Sequence, residues 1–235
     1  MKDLRFALFM MVLFGPFFFI PAVFEFYYDF NLEHGLLMSF VKFAVLATIG
    51  EIIGLRIRKG IYIEKGFGIL PRAFVWGFLG MSLKAAFDIF SSGTPAFLEG
   101  IGMENATGII HGKLGWPKVL VSFSISTALN LFYAPVLMTA HKITDSHITA
   151  TGGSMKGFFS RMDIRDILEK IDWETHWNFI LKRTIPLFWI PMQTITFLLP
   201  PEYRILFAAF LSIVLGVLLA LASLKKRGEV IMNNP

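Results

Sequence analysis

Several charged and amide side chains lie within long apolar stretches of the chain, where they could bind or conduct a polar solute. The charged residues are Lys42, Glu51, Arg72, Lys84 and Asp88, and the amides are Asn130 and Gln193. A charge at the centre of a membrane costs at least about 2.5–3.5 kcal/mol on insertion scales, so such residues need an ion-pair partner, hydrogen bonds or water. These seven residues are therefore our candidate functional residues.

The spacing of these charges predicts how some of them are compensated. Asp88 follows Lys84 by four residues, which is one helical turn, so the two side chains can form a local ion pair. Glu51 and Arg72 lie at similar depth in successive apolar segments and can pair between those segments. No acidic residue stands one helical turn from Lys42 in the sequence, so we interpret Lys42 as the residue that best reports a polar interior.

Two interpretations of these side chains remain open. In the first, the charges reach the lipid headgroups or pair to fix helix register, and the amides bridge helices by hydrogen bonds. In the second, the same side chains line a cavity that holds water or a solute. Pro191 favours the second, because it cannot donate to the Leu187 carbonyl and pushes it away. Backbone groups freed at membrane depth must be satisfied by protein or water, so we expect a kinked helix whose broken turn faces Asn130.

Signatures of enzymes are missing from the sequence. It has no Gly-rich phosphate loop, no G-x-S-x-G and no H-E-x-x-H. The chain contains no cysteine, which excludes thiol catalysis, disulfides and cysteine metal sites. His141, Asp145 and His147 have a spacing that is unspecific for a metal. We therefore predict no catalytic residue, no cofactor and no metal, and we do not expect an enzyme.

The composition predicts the elements that position the candidate residues. The chain is 55% hydrophobic and 17% charged with a mean hydropathy of +0.63, whereas soluble domains are about 25% charged. About 20 apolar residues in a helix cross a hydrocarbon core of about 30 Å. We predict an all-α integral membrane protein, a single bundle over residues 1–235 with spans at 6–24, 35–55, 67–90, 118–140, 184–199 and 203–224. The fifth span is short and contains Pro186 and Pro191, so a broken or re-entrant helix is its alternative.

The distribution of basic residues predicts that both termini lie on the inner face of the membrane. With this topology, only Lys113, Lys118 and Arg204 of the 22 Lys and Arg residues fall in outer segments, while Lys42 and Lys84 fall within spans. Basic residues favour the inner side, and an added or omitted span would move every later loop to the other side. The net charge of +5 therefore indicates anionic lipid headgroups as partners rather than nucleic acid. This pattern is compatible with a bacterial inner membrane and with an organelle membrane. It is also compatible with a homo-oligomer.

The segment RMDIRDILEKIDW predicts an amphipathic helix. Ile164, Ile167, Leu168 and Ile171 recur at i, i+3, i+4 and i+7, so they form one apolar face. We expect this helix to lie along the inner headgroup surface and to lead into the fifth span. Packing against the other loops is the alternative.

Stripes of small residues at intervals of four predict where the spans pack. Lipid tails are as apolar as leucine, so membrane helices associate by close backbone approach and interhelical hydrogen bonds. The stripes are Ser122, Ser126, Asn130 and Ala134; Ala208, Ser212, Gly216 and Ala220; and Gly50 with Gly54.

Three segments carry a resemblance to a known family. WIPMQTITFLLPPEYR is similar to the signature W-P-x-x-Q-x-x-N-F-x-x-V-P of the small peroxisomal and mitochondrial inner-membrane proteins, through Trp189, Gln193, Phe197 and Pro201. FVKFAVLATIGEIIGLRIRKG and GILPRAFVWGFLGMSLKAAFDIF resemble two earlier spans of that family. The proline after the tryptophan falls one position later, at Pro191, and Thr196 stands where the family has asparagine. The resemblance implies a multi-pass protein related to channel-like permeation, and it implies no catalytic residue.

From these patterns we expect a channel-like or transport-related membrane protein. A narrow polar cavity inside the bundle would pass small solutes or ions, and Lys42 would make it favour anions. The alternative is a non-catalytic structural or assembly protein, without a conducting pathway, whose charges and amides only hold the helices together.

Overall fold

The computed structural model describes residues 1–233, with the side chains of residues 1–221, 223 and 224. Helices make up the secondary structure of this part of the chain, which contains no strand, so the predicted all-α class is confirmed. The predicted inner segment Lys225, Lys226 and Arg227 lies outside the described side chains. The α-helices are α1 (Lys2–Phe19), α2 (Pro21–Glu33), α3 (Gly35–Lys59), α4 (Ile69–Gly100), α5 (Ala106–Ile109), α6 (Trp116–Phe132), α7 (Ala134–Ala150), α8 (Met155–Phe158), α9 (Ile164–Lys170), α10 (Trp173–Thr175), α11 (Ile190–Leu198) and α12 (Pro201–Asn233), and a π-helix (His176–Trp189) joins α10 to α11.

Three helices are long and apolar enough to cross a membrane, namely α3, α4 and the stretch Pro201–Leu221 of α12. They correspond to the predicted spans 35–55, 67–90 and 203–224. Two bent pairs, α1 with α2 and α6 with α7, also qualify if each pair counts as one span, which gives up to five candidates. The chain therefore has the helices of a membrane protein, and the predicted span 184–199 is not among these candidates within the described residues.

The first predicted span, 6–24, is not one straight helix, because α1 and α2 are bent by 86° at Ile20. Pro21 begins α2 and has no N–H for the Phe17 carbonyl. A proline also disfavours the helical conformation in the residue before it, and Ile20 has extended angles of φ −120° and ψ 98°. The predicted span 6–24 is therefore divided at Ile20 between α1 and α2.

The predicted span 118–140 is interrupted in the same way. The axes of α6 and α7 differ by 43°, and the break lies at Tyr133. Pro135 in the first turn of α7 cannot donate to the Leu131 carbonyl, so α6 cannot continue unchanged through this position.

The chain divides into two compact units, Met1–Met38 and Ser39–Pro235. In the first unit, aromatic rings pack across the bend, where Phe17 and Tyr27 meet edge to face with ring centroids 5.5 Å apart. Every candidate residue from the sequence belongs to the second unit.

In the second unit, glycines bring α3 close to α12 and α4. A Cβ on Gly50 would lie 2.9 Å from the Ile213 Cα, and one on Gly216 would lie 3.1 Å from the Gly50 carbonyl oxygen. A Cβ on Gly80 of α4 would lie 2.5 Å from the Phe43 Cβ. The predicted packing of the small-residue stripes of α3 and α12 is therefore confirmed, and these two helices face each other.

Pro191 lies at a change of helix type rather than at a kink in an α-helix. The π-helix ends at Trp189, and Pro191 is the second residue of α11, where it offers no N–H to the carbonyls of the preceding turn. The Ile190 carbonyl accepts hydrogen bonds from Ser126 Oγ of α6 at 2.7 Å and from Thr194 Oγ1 at 2.8 Å. The expected position of this turn beside the Asn130 stripe is confirmed, because α11 packs along α6.

The predicted amphipathic helix corresponds to α9. Asp163 caps it, since its Oδ1 accepts a hydrogen bond from the Asp166 N–H at 3.1 Å. Ile167 and Ile171 are buried and α9 packs against α7, whereas Ile164 is 54% exposed. Protein covers this part of the apolar face, as in the alternative that the sequence left open, and a position along the headgroups stays a prediction.

Candidate functional site

Five side chains from three helices form what we name the charge cluster: Glu51 of α3, Arg72 and Trp76 of α4, and His141 and Asp145 of α7. Arg72 Nη1 lies 2.6 Å from Glu51 Oε2, and it also contacts Asp145 Oδ1. The second oxygen of Glu51, Oε1, accepts a hydrogen bond from Trp76 Nε1 at 2.7 Å and lies 3.2 Å from His141 Nε2. These contacts join α3, α4 and α7.

Arg72 is held from several directions. Its Nε donates to the Phe67 carbonyl at 2.6 Å, and its guanidinium carbon lies 4.6 Å from the centroid of the Phe67 ring. Its Nη2 lies 3.5 Å from Thr149 Oγ1, and the side chain is only 10% exposed. The ion pair between Glu51 and Arg72 that the sequence predicted is confirmed. Fixed on all these sides, Arg72 is suited to hold helices rather than to move with a solute.

Sequence reasoning missed three members of the charge cluster. Trp76 was not among the candidate residues, yet its indole N–H donates to Glu51. His141 and Asp145 lie one turn apart on α7, and that spacing was a signal that they share a face. His147 points elsewhere, with its Nε2 3.1 Å from the Phe158 carbonyl. Within the described part of the chain, no group of three His, Asp or Glu side chains is placed to hold a metal ion.

A second polar region, which we name the amide cavity, lies among α3, α4, α6, α7, α11, α12 and the π-helix, with a volume of about 40 Å³. Asn130 of α6 and Gln193 of α11 both line it and are each 3% exposed. One water needs a cavity volume of roughly 10–15 Å³, so the cavity has room for about two or three waters. The fold thus brings together the two amides that the sequence selected.

Two polar groups on the wall of the amide cavity have no hydrogen-bond partner in the described part of the chain. They are Gln193 Oε1, which accepts, and Trp189 Nε1, which donates. Trp189 is 8% exposed, so neither group is open to bulk solvent. A buried polar group without a partner costs about 1–3 kcal/mol. This pair therefore points to a polar occupant of the cavity.

Other polar groups on the same wall already have partners. Asn130 Nδ2 donates to the Ser126 carbonyl one turn earlier at 2.9 Å. The Tyr133 hydroxyl lies 2.7 Å from the Ser82 hydroxyl. Asn130 and Tyr133 therefore differ from Gln193 and Trp189, whose buried polar atoms have no hydrogen-bond partner in the described part of the chain.

The remaining charged candidates lie away from the amide cavity. Lys42 is 5% exposed, and the described residues that line the cavity do not include it. Lys84 contacts Asp88 in the local ion pair that the sequence predicted. The structure therefore does not place Lys42, Lys84 or Asp88 beside the two amides.

Arg204 has a structural role that the sequence did not reveal. It was placed in an outer loop, but it lies buried in the first turn of α12. The Phe197 carbonyl would bond to the N–H of residue 201 in a continuous helix, and Pro201 has none. Arg204 replaces that donor, since its Nη2 lies 3.2 Å from the Phe197 carbonyl and its Nε 2.9 Å from the Leu199 carbonyl.

His176 connects the start of the π-helix to α7. Its Nε2 lies 3.2 Å from Thr139 Oγ1. This contact joins α7 to the helix that carries Trp189.

Comparisons with known proteins do not identify a relative, since no match is found among family models, curated proteins or solved structures. The resemblance to small peroxisomal and mitochondrial inner-membrane proteins therefore stays a prediction from the residue pattern. Function has to be inferred from the geometry of the two polar regions.

Proposed function

We propose that this protein spans a membrane and gives small polar solutes a path through its helix bundle, with the amide cavity as a binding site on that path. The observation that carries the proposal is that Asn130 and Gln193, from two different helices, both line one cavity. Protein interiors are close-packed, and voids larger than a water are few. A cavity with buried, unsatisfied polar groups among candidate membrane spans is therefore best explained by an occupant.

The proposal includes six crossings with both termini on the basic face. Helices α3, α4 and α12 supply three crossings, and α6 with α7 supplies another. With 18 residues, α1 is about 27 Å long and nearly matches the hydrocarbon core without α2. The sixth crossing consists of the π-helix and α11, which form an uninterrupted helical run.

Anionic lipid headgroups on the basic face are the proposed membrane partners. Trp177 and Lys182 of the π-helix are exposed, and Lys182 Nζ lies 5.7 Å from the centroid of the Trp177 ring. Indole rings and basic side chains favour the headgroup region of a membrane. Their position supports placing the start of the sixth crossing at this surface.

Flux through proteoliposomes tests the proposed pathway. Purified protein would be reconstituted, and the entry of water, formamide, glycerol, chloride and potassium would be compared with that in protein-free liposomes. We expect at least one probe to cross faster with the protein, and we expect Gln193→Leu to remove that increase. Asn178→Leu is the matched control, because it makes the same amide-to-aliphatic change at an exposed position. Rates equal to those of protein-free liposomes for every probe would rule out the pathway.

A second candidate function is a structural or assembly role without conduction, and the charge cluster favours it. Glu51 and Asp145 both contact Arg72, and these three residues lie on three helices, as expected for side chains that hold a bundle together. Under this alternative, the unmodified protein shows no flux above that of protein-free liposomes. Gln193→Leu would then change only the stability of the protein.

A further inference from the structure

We infer that the amide cavity selects a small uncharged molecule that both accepts and donates a hydrogen bond, with water as the primary occupant and solutes of about the size of formamide as the upper limit. This inference rests on the proposed function, because it names the class of solute that the pathway would take. It also replaces the anion preference that the sequence suggested from Lys42.

The two unpaired groups in the cavity are complementary to such a molecule. The indole N–H of Trp189 can only donate, and the amide oxygen of Gln193 can only accept. Their occupant must therefore accept from one wall and donate to the other. Water does both, whereas a bare anion has no proton to offer Gln193 and a metal cation has no lone pair to offer Trp189.

The lining of the cavity disfavours ions for a second reason. No charged side chain is among the described residues that line it. Moving an ion from water into such surroundings carries a penalty of several kcal/mol, which a neutral molecule does not meet. The nearest contribution from the charge cluster is Trp76, which lines the cavity while its N–H donates to Glu51.

The size of the cavity sets the upper limit. Its volume of about 40 Å³ has room for about two or three waters. Formamide has three non-hydrogen atoms, one amide oxygen and N–H donors, so it matches this space and the two unpaired groups. Glycerol, with six non-hydrogen atoms, does not fit.

The first experiment measures selectivity in proteoliposomes with water, formamide, glycerol, chloride and potassium as probes. We expect a several-fold increase over protein-free liposomes for water and formamide, and background rates for the other three. Gln193→Leu and Trp189→Phe should each return the increased rates to background. Faster chloride, potassium or glycerol transport overturns the selectivity and leaves the proposed pathway standing. Background rates for every probe overturn the proposed pathway itself.

The second experiment examines the occupant directly and does not depend on flux. The protein would be labelled with 5-fluorotryptophan, and the ¹⁹F resonance of Trp189 would be assigned by its loss in Trp189→Phe. We expect this resonance to move between H₂O and D₂O, because water contacts the indole. Trp116, which is 86% exposed, is the positive reference. A Trp189 resonance that does not move indicates a dry cavity and overturns the inference.

A matched variant protects this experiment against misfolding. Gln193→Leu keeps Trp189 and removes the acceptor that the bound water would contact, so we expect a smaller H₂O/D₂O shift for Trp189. The shift of Trp116 should stay the same. An unchanged Trp189 shift in Gln193→Leu means that water does not bridge the two groups, which contradicts the proposed geometry.

Discussion

The charge cluster, which is partly buried, and the amide cavity, which is lined by buried side chains, belong to one helical unit, and they satisfy their polar groups in opposite ways. In the charge cluster, both carboxylates contact Arg72, and Glu51 also accepts a hydrogen bond from Trp76. Gln193 and Trp189 line the amide cavity, and Gln193 Oε1 and Trp189 Nε1 have no hydrogen-bond partner among the described residues. Polar residues in apolar sequence therefore belong to two kinds, and only the second kind indicates a ligand.

The physical reason for this difference is the size of the penalty. An unpaired buried charge costs several kcal/mol, so a stable bundle must pair its charges internally. An unpaired neutral group costs about 1–3 kcal/mol, which one small hydrogen-bonding molecule can offset. Trp76 belongs to both regions, and its N–H is directed to the carboxylate rather than to the cavity.

The largest effect is expected in the charge cluster. Arg72→Met leaves the partly buried carboxylates of Glu51 and Asp145, whose side chains are 19% and 27% exposed, without their cation. Breaking a fully buried ion pair costs about 3–5 kcal/mol and a surface pair contributes about 0–1 kcal/mol, so we expect a loss between these limits. We expect a marked fall in the thermal unfolding midpoint of the detergent-solubilised protein, followed by intrinsic tryptophan fluorescence.

Two further variants separate charge from packing in that result. Arg165→Met removes an arginine that is 90% exposed and paired with Glu169, and it should not shift the midpoint measurably. Adding Glu51→Gln and Asp145→Asn to Arg72→Met should recover part of the lost stability. If the triple variant is as unstable as Arg72→Met alone, the loss of stability does not come from the uncompensated carboxylate charges of Glu51 and Asp145.

An intermediate effect is expected where the two regions share a helix contact. Gly50 precedes Glu51, and a Cβ at this position would lie 2.9 Å from the Ile213 Cα and 3.3 Å from the Ser212 carbonyl oxygen. Because Ser212 also lines the amide cavity, Gly50→Val should disturb both regions by separating α3 from α12. We expect a loss of about 1–3 kcal/mol, typical of overpacking, measured as a lower thermal midpoint.

Gly93→Val is the matched control for this contact. Gly93 is also helical, but a Cβ there meets no atom within 4 Å. Its midpoint should stay unchanged or rise, since valine favours the helix more than glycine does. Equal losses for the two variants would show that the close approach of α3 and α12 does not limit stability.

The smallest effect on stability is expected in the amide cavity. Gln193→Leu removes an acceptor that the proposed water, and no protein group, satisfies. The bond to this water is lost together with the cost of burying the amide, so we expect a change in the free energy of unfolding smaller than the roughly 1 kcal/mol of a hydrogen bond within the protein. Asn130→Leu removes a donor that is bonded to the Ser126 carbonyl, and it should cost about 1 kcal/mol. Chemical denaturation of both variants would compare them, and a larger loss for Gln193→Leu would mean that Gln193 is fully bonded within the protein.

Much of the fold could be predicted because it follows from local rules. The apolar composition and the spacing of apolar blocks indicated a helical membrane protein, and three predicted spans coincide with α3, α4 and α12. The ion pair of Lys84 with Asp88 follows from the pitch of one helix. The bend at Ile20 was also predictable in principle, because Pro21 restricts the residue before it, but the apolar run concealed it.

Taken by itself, the sequence determined the helical class, the local pairings and the identity of the polar residues that have to be accounted for. Only the tertiary structure decided that Asn130 and Gln193 meet at a cavity, that Trp76, His141 and Asp145 join Glu51, and that Arg204 replaces the hydrogen-bond donor that Pro201 lacks. These contacts depend on the rotation and crossing of separate helices, which the close approaches at Gly50 and Gly80 establish. The periodicity along one helix states which residues share a face, but it does not state which other helix that face will meet.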